Sequence, residues 1–314
     1  MNATTALEGI LPVNKPAGFT SHDVVAKVRR ILGVKRVGHT GTLDPQVTGV
    51  LPLCLGRATR VAEYVQQLPK QYEAELTIGY ATDTEDWTGA VVARADRVEL
   101  SEDLIRKTLQ SFEGEIEQIP PMYSAVKVDG KRLYELAREG KYAERKPRTV
   151  TIYEIDPLNI NVDSAMPTVR FRVRCSKGTY IRTLCADIGR ALGYPAVMTD
   201  LVRTSAGMIT LDQCLSLSDI ESLHRSGELR SRIIPTDQAI AHFPGFRLSH
   251  RVAKAAAQGK PIGADRLAGM SFRGEAGLVR IYDPDGRFIG VFRYDPTANV
   301  LRPEKVFVSN IDKG

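Results

Sequence analysis

The sequence has little cysteine and little histidine, with four and five residues respectively among 314. Neither type stands at a CxxC, HxxxH or HExxH spacing, so we expect no metal site. The cysteines mostly lie in apolar runs, which predicts buried free thiols and is typical of proteins in the reducing cytoplasm. These cysteines are Cys54, Cys175, Cys185 and Cys214.

Several motifs that carry common chemistries are also absent. There is no GxxxxGK[ST] loop for a nucleotide and no GxGxxG turn for a dinucleotide, so neither cofactor is expected. No GxSxG motif presents a serine nucleophile, which argues against an esterase. The N-terminal residues lack the pattern of an export signal, and no apolar run approaches the roughly 18 residues of a membrane span. We therefore expect a cytoplasmic protein that does not enter a membrane.

What the chain does have is an excess of positive charge. It contains 43 lysines and arginines against 37 aspartates and glutamates, a formal net charge of +6. Such a balance indicates a polyanionic partner, although many proteins carry a similar charge for solubility alone.

The apolar pattern predicts a large α+β domain over residues 1–245 and a small all-β domain over 246–314. Alternating apolar residues over 72–79 predict a half-buried antiparallel strand. We expect a mixed, mainly antiparallel central sheet flanked by helices, and after residue 245 a short helix followed by brief strands. Further strands are predicted at 50–55, 149–155 and 168–175, and helices between Thr20 and Gly33, over 57–67, from Ser101, after Tyr180 and over 248–258.

Asp44 is the first candidate for chemistry. It lies in the predicted loop Gly38 to Pro45, GHTGTLDP, which combines turn formers with an imidazole and a carboxylate. A turn alone would account for Asp44, because aspartate hydrogen-bonds its own backbone in turns. The alternative is a carboxylate that reacts, which must be ionised and which an arginine within about 4–6 Å would keep ionised and oriented.

Three more residues could complete a site that needs no cofactor. Tyr72 begins a strand, and Tyr180 and Arg182 stand where a strand passes into a helix. Two tyrosines could pack against a planar base. Taken singly, each has a plainer interpretation as a core or surface residue, and spacing alone does not bring them together.

Two basic stretches suit contacts with an RNA backbone. Residues 127–148, within a segment of about 120–148, hold eight lysines and arginines against four acidic residues, with Tyr134 and Tyr142 interspersed. A solvated helix would account for these charges equally well. On the strand 168–175, the outward side chains of Arg170, Arg172 and Arg174 form a row available to phosphates.

Five stretches of this chain, in order, resemble the TruB-type tRNA pseudouridine synthases, which make the pseudouridine of the T arm. The resemblance covers most of residues 9–215. Its stretches are GILPVNKPAGFTSHDVV from Gly9, VGHTGTLDPQVTGVLPLCLGRATR from Val37, YEAELTIGYATDTEDWTG from Tyr72, PPMYSAVKVDGKRLYELAREG from Pro120 and CSKGTYIRTL from Cys175. By position and strand pattern, the C-terminal segment resembles the RNA-binding PUA domain of this family.

The resemblance implies a role for each candidate. Asp44 matches the family's essential aspartate, Arg182 its partner, and Tyr72 a residue that packs on the target base and takes a ribose proton. Tyr180 and Leu201, the latter in DLVRTSAG, would line the uracil pocket. The remaining two matches are His39, which would help hold the T loop after the base flips out, and Lys15, which would support the catalytic loop as a second-tier substrate-site residue.

The expected activity is therefore that of an isomerase that breaks the N-glycosidic bond of one tRNA uridine and rejoins the uracil through C5. Asp44 would act as a nucleophile at C1′ or C6, or as a base and electrostatic stabiliser while a glycal forms. The expected partner is the tRNA T-arm stem-loop, the expected cofactor none, and the expected state a monomer. A tRNA-folding chaperone and a synthase acting on another RNA are the alternatives.

Overall fold

The computed structural model describes residues 7–128, 130–266 and 276–308. Residues 1–6, on which the export prediction partly rests, Asp129 of the basic segment and parts of the predicted C-terminal domain lie outside these ranges. The strands are β1 Gly9–Lys15, β2 Val37–His39, β3 Thr48–Leu55, β4 Lys70–Ile78, β5 Tyr80–Thr82, β6 Val91–Arg94, β7 Gly114–Gln118, β8 Lys127–Val128, β9 Lys131–Arg132, β10 Arg148–Asn161, β11 Thr168–Cys175, β12 Ala196–Ala206, β13 Ile209–Thr210, β14 Gly245–Arg247, β15 Ile262–Gly263, β16 Leu278–Tyr282, β17 Phe288–Asp295 and β18 Val300–Val306. The helices are α1 Ser21–Leu32, α2 Ala62–Gln67, α3 Glu102–Gln110, α4 Leu133–Arg138, α5 Ile181–Leu192, α6 Leu217–Ser226 and α7 His250–Ala257.

Helix α1 begins and ends where its sequence predicts. The Thr20 hydroxyl accepts from the Asp23 backbone N–H, and the Asp23 carboxylate accepts from the Thr20 N–H, which satisfies two free donors of the first turn. Gly33 ends the helix in the left-handed region at φ 63°. Ser101 likewise caps α3. The predicted helix over 57–67 is shorter than expected, because Gly56–Val61 forms a 3₁₀ helix before α2.

The large sheet has nine strands, and its main path runs β1-β3-β12-β4-β11-β10-β7. Strand β2 adds to β3 and β13 to β12. Within the described residues the pairing of β12 with β3 is the one parallel pair of this sheet, so the predicted mixed, mainly antiparallel sheet is confirmed. The position of β12, between β3 and β4, was not predicted from the sequence.

The main core lies between this sheet and helices α1, α3, α5 and α6. Buried residues on β4 and β11 follow the predicted alternation, with Ala74, Leu76 and Phe171 among the fully buried ones. Helix α5 packs its buried face against β12. Its first residues follow the end of β11, where Cys175 pairs with Lys70 at the start of β4.

A second, five-stranded sheet, in the order β14-β16-β17-β18-β15, begins at Gly245, where the sequence predicts a new domain. With helix α7 it encloses its own core, and this separate β domain is consistent with the PUA-like domain expected from the sequence. This domain packs against α2 through a cluster that joins Val65 and Tyr64 to Val291 and Phe307. Among the described helices, none is long and apolar enough to cross a membrane.

Candidate active site

Asp44 stands on a loop that is tied to helix α1 and strand β3. The Ser21 hydroxyl accepts from the Leu43 backbone N–H at 2.9 Å, and the Val47 N–H closes a turn on the Asp44 carbonyl at 3.1 Å. Gly41 has a φ of 135°, a conformation that favours glycine. The predicted loop starts later than expected, because Gly38 belongs to β2, where pairing with β3 gives it ordinary strand geometry.

Arg182 holds the Asp44 carboxylate. The residue is 5% exposed, and its Nε atom lies 2.9 Å from Oδ2 of Asp44. Its other two nitrogens donate to the backbone carbonyls of Thr84 and Tyr123, each at 2.9 Å. The planar guanidinium therefore ties together three separate loops, which fixes its orientation before it meets the carboxylate. Asp44 stays 43% exposed at its side chain, so it is oriented and still accessible.

The Asp44–Arg182 pair opens onto a cavity of about 590 Å³, within the range of roughly 300–1,000 Å³ usual for small-molecule sites. Tyr72, Tyr180 and Leu201 line the same cavity. Tyr72 and Leu201 lie on the adjacent strands β4 and β12, and Tyr180 precedes helix α5. The spacing of these residues along the sequence does not show that they are neighbours, but the fold brings them to one cavity.

Gln118 on β7 positions Tyr180. Its side-chain oxygen accepts from the Tyr180 backbone N–H at 3.0 Å, and its amide nitrogen donates to the Tyr180 carbonyl at 3.2 Å. Burial raises the pKa of the Tyr180 phenol. Burial also raises the pKa of Tyr72, so both phenols carry their proton at neutral pH in the free protein.

Lys15 and His39 do not line the cavity. Lys15 is fully buried below the loop, and its ammonium donates to the carbonyls of Pro16, Phe19 and Pro45 at 3.0, 2.5 and 2.8 Å. Burial lowers the pKa of Lys15 to about 8. The lysine thus holds the loop that carries Asp44, and it is too deep to touch a substrate in the cavity.

His39 is half-buried at the other end of this loop. Its ring packs edge-on against that of His22, with centroids 5.4 Å apart, and its Nδ1 accepts from the Gly41 N–H at 3.4 Å. Burial lowers the pKa of His39, and the nearby charges of His22 and Arg203 act in the same direction.

Two buried cations at the site were missed by sequence reasoning. Arg203 is 1% exposed and Lys70 is 6% exposed, and both line the cavity. The Lys70 ammonium donates to the carbonyls of Gln66 and Leu68, and burial lowers the pKa of this residue to about 8. Arg203 stands two residues after Leu201 in the stretch DLVRTSAG, so the alternation of a strand could have placed it on the same face.

The cavity is strongly cationic. Among the residues that the structure describes, Asp44 supplies the one carboxylate of its lining, against five cationic side chains. These are Lys70, Arg148, Lys177, Arg182 and Arg203. A lining of this kind attracts a polyanionic ligand.

The basic segment adjoins the site. Tyr123 and Ser124 at its start and Arg148 at its end line the cavity. Between them, β8, β9 and α4 carry Tyr134 with the guanidinium groups of Arg132 and Arg138 at 5.7 and 5.5 Å from its ring centre. The solvated helix considered for residues 127–148 is therefore present only as the six residues of α4, Leu133–Arg138.

The arginines of β11 face outward as predicted and stay about half exposed, but each also lies close to an acidic side chain. Arg170 and Arg172 both pair with the carboxylate of Glu73 on the neighbouring strand β4, at 3.2 and 3.0 Å, and Arg174 lies 3.6 Å from Glu154. Cross-strand register sets these acidic partners opposite the arginines, so their charge is largely compensated.

Across the described ranges, no group of three or more histidine, cysteine and acidic side chains is arranged to hold a metal.

Comparison with known proteins gives consistent matches over nearly the whole chain. The profile of the TruB family pseudouridylate synthase N-terminal domain matches residues 29–181, and that of the tRNA pseudouridylate synthase B C-terminal domain matches residues 182–241. The tRNA pseudouridine synthase B of Bacillus licheniformis is 44% identical over 308 residues, which cover 97% of this chain and 99% of the relative. That of Geobacillus thermodenitrificans is 47% identical over 307 residues, covering 96% and 100%.

Solved structures with the same fold include a Cbf5-Nop10-Gar1 complex, with a TM-score of 0.75 and 29% identity over 96% of this chain and 86% of that chain. An H/ACA RNP bound to a substrate RNA containing 2′-deoxyuridine gives a TM-score of 0.73 and 27% identity, covering 96% and 86%.

Proposed function

The chain belongs to the TruB family of pseudouridylate synthases, and from this membership we propose that it isomerises a uridine in the T loop of tRNA to pseudouridine. The relatives named tRNA pseudouridine synthase B support tRNA as the substrate. The similar H/ACA RNP is bound to a substrate RNA, which supports an RNA in this cleft. The observation that carries the proposal is the Asp44–Arg182 pair, which opens onto a cavity lined by Tyr72 and Tyr180.

The reaction needs no redox or nucleotide cofactor. The N1–C1′ bond of the uridine breaks, the uracil turns, and a C5–C1′ bond forms. The C5 hydrogen leaves as a proton and N1 gains one, so the atoms and electrons of the nucleoside balance. The protein must therefore supply a positioned carboxylate, a flat apolar pocket for the ring and groups that move protons.

Asp44 is the reacting carboxylate, as a nucleophile at C1′ or C6, or as a base and electrostatic stabiliser while a glycal forms. Arg182 orients this carboxylate, because the guanidinium is buried and is itself held by two backbone carbonyls. Tyr72 packs on the uracil and accepts a ribose proton, and Tyr180 and Leu201 line the ring's pocket.

The target uridine must leave its stack to reach Asp44, which costs a few kcal/mol. The cationic lining of the cavity and the basic segment beside it offset this cost through phosphate contacts. His39, at the start of the catalytic loop, contacts the T loop that the base has left, and Lys15 supports the catalytic loop from below. The C-terminal β domain adds tRNA affinity.

We also propose that the protein acts in the cytoplasm as a monomer. The four cysteines are free, and three of them are buried, which suits a reducing compartment. Multi-angle light scattering of the purified protein, free and with tRNA, tests the monomer; a dimer mass in both samples would refute it.

The activity is tested with a T-arm stem-loop that carries tritium at C5 of its uridines. Wild-type protein should release tritium from one uridine per RNA, and nucleoside analysis should find one pseudouridine at that position. A matched stem-loop with cytidine at the target position should release none. Release from several uridines, or from an unrelated hairpin at equal rate, would refute T-loop specificity.

A tRNA chaperone without catalysis would give a different result. Such a protein would bind the stem-loop with undiminished affinity and release no tritium. A synthase for another RNA would leave the T-arm substrate unchanged while converting uridines in total cellular RNA.

A further inference from the structure

Arg203 is a buried guanidinium with no acidic partner. It is 1% exposed, and within the described ranges no carboxylate lies within 4 Å of it. Its Nε donates to the Val50 carbonyl at 2.6 Å and its Nη2 to the Gly41 carbonyl at 3.2 Å. Burying a charge without a counter-ion costs free energy, so we expect the Arg203 guanidinium to make a compensating interaction.

The sheet places Arg203 directly beside Tyr72. The two residues are opposite each other in the antiparallel pairing of β12 with β4, so their side chains share one face of the sheet. On its other side, Arg203 pairs with Gly49 of β3. Gly49 has a φ of 107°, and a Cβ atom there would lie 2.2 Å from the Arg203 carbonyl oxygen. Glycine at this position lets β3 approach closely enough to hold the guanidinium.

The Tyr72 hydroxyl belongs to a side chain on the same face of the sheet as Arg203, and both residues line the cavity. In the part of the chain that the structure describes, no carbonyl or carboxylate accepts a hydrogen bond from this hydroxyl. A guanidinium can only donate, so next to Arg203 the phenol oxygen is the acceptor. The strand pairing sets the phenol beside a fixed positive charge, and the cavity that Tyr72 lines gives its proton a route to solvent.

Each neighbour of Tyr72 acts on its ionisation in a defined direction. Burial raises the pKa of the phenol, and so do the thiol of Cys175 on β11 and the carboxylate of Asp44 on the loop. The positive charge of Arg203 lowers this pKa.

We propose that Arg203 is a positioning residue for Tyr72: it orients the phenol oxygen and stabilises the phenolate when Tyr72 exchanges a proton with the nucleoside. Its bond to the Gly41 carbonyl also links the phenol to the loop that carries Asp44. The inference rests on the proposed function: Tyr72 first loses its phenol proton to solvent through the cavity, and the resulting phenolate accepts a ribose proton and later returns it to the ribose.

The test compares Arg203→Met with Arg203→Lys and with Lys15→Met. Lys15 is the matched comparator, because it is also a fully buried cation that ties the same loop, through the Pro45 carbonyl. The readout is the single-turnover rate of tritium release at saturating stem-loop between pH 6 and 10. We expect Arg203→Met to slow the reaction about tenfold or more at pH 7 and to move the rising limb of the profile up by about one pH unit, since one pKa unit is a factor of ten. Arg203→Lys should recover part of the rate.

Lys15→Met should slow the reaction without moving the profile. A profile for Arg203→Met that matches that of Lys15→Met would overturn the proposal, since Arg203 would then act on the loop alone. In a double-mutant cycle, Arg203→Lys should have little further effect in the Tyr72→Phe background; an undiminished effect there would equally refute a role through the phenol.

A measurement without substrate separates this inference from the proposed function. Tyrosine labelled with ¹³C at Cζ is titrated by NMR in wild type and in Arg203→Lys, with Tyr72→Phe to assign the signal. We expect the pKa of Tyr72 to be higher in Arg203→Lys, whether or not the wild type releases tritium. An unchanged pKa would overturn the inference, and this variant carries the test if Arg203→Met does not fold.

Discussion

Replacing Arg182 by lysine keeps the positive charge and removes the planar set of donors. The wild-type guanidinium serves three acceptors, Asp44, Thr84 and Tyr123, each at 2.9 Å. A single ammonium cannot reach carbonyls on two loops and a carboxylate on a third, so at least two charge-assisted bonds are lost, at about 1.5–3 kcal/mol each. Solvent screens the Arg182–Asp44 interaction, because the Asp44 side chain is 43% exposed, so the free energy of this bond lies at the low end of the range.

We expect Arg182→Lys to lower the free energy of unfolding by about 3–4.5 kcal/mol. It should lower kcat by about 100-fold, since misplacing a reacting group by about 1 Å costs that much. KM should change little, because the RNA is bound mainly through its backbone. Urea unfolding gives the first quantity, and single-turnover and steady-state tritium release give the others.

The control is Arg190→Lys on the same helix α5. Arg190 is 77% exposed at its side chain and pairs with Asp187 near the surface, so its replacement should alter neither stability nor kcat appreciably. A kcat for Arg182→Lys within threefold of wild type would refute the idea that the guanidinium must orient Asp44.

Three other expectations follow from the geometry. Gly49→Ala should cost more than about 2 kcal/mol of stability, because its Cβ would clash with the Arg203 carbonyl at 2.2 Å; a wild-type urea midpoint would contradict this close approach. The pKa of Lys70 is lowered to about 8, so between about pH 8 and 10.5 the unfolded chain holds more protons than the folded one. The contribution of Lys70 to the free energy of unfolding therefore rises with pH in this range, by up to about 1.4 kcal/mol per pH unit. Urea unfolding curves of Lys70→Met should lack this rise. Lys146→Glu in the basic segment should weaken stem-loop binding and reduce the salt dependence of binding by about one ion, while leaving the rate at saturating RNA unchanged. The control Lys107→Glu on α3 should change neither the binding nor its salt dependence. Equal effects of the two substitutions would show that the basic segment is not part of the RNA interface.

The sequence predicts well those elements whose signals are local. Helix α1 has its cap at Thr20 and its stop at Gly33, and β11 alternates strictly, so both agree with the structure. Strand β12 was not predicted, because its sequence lacks the regular alternation of buried and exposed residues. The neighbours Val197 and Met198 are both buried, and the pairing with β4 shifts register after Met198 and again after Arg203. Its place in the sheet depends on partners far away in the sequence.

The same distinction holds for the site. Asp44, Tyr72, Tyr180 and Arg182 were chosen as residue types that suit the chemistry, and the fold brings them to one cavity. Strand alternation from Leu201 could have placed Arg203 on the face of the site, but its burial depends on carbonyl partners 153 and 162 residues earlier in the chain. The compensation of the β11 arginines by Glu73 was missed for the same reason, since it depends on register between strands.

The most direct measurement of the central claim is tritium release by Asp44→Asn, which keeps the size of the side chain and removes its charge. Wild type and variant are mixed in excess with the labelled T-arm stem-loop, and binding is followed in parallel by filter retention. We expect Asp44→Asn to bind the RNA within a few-fold of wild type and to release no tritium above background, while wild type releases one equivalent. Release by Asp44→Asn at the wild-type rate would contradict the role of Asp44 as the reacting carboxylate.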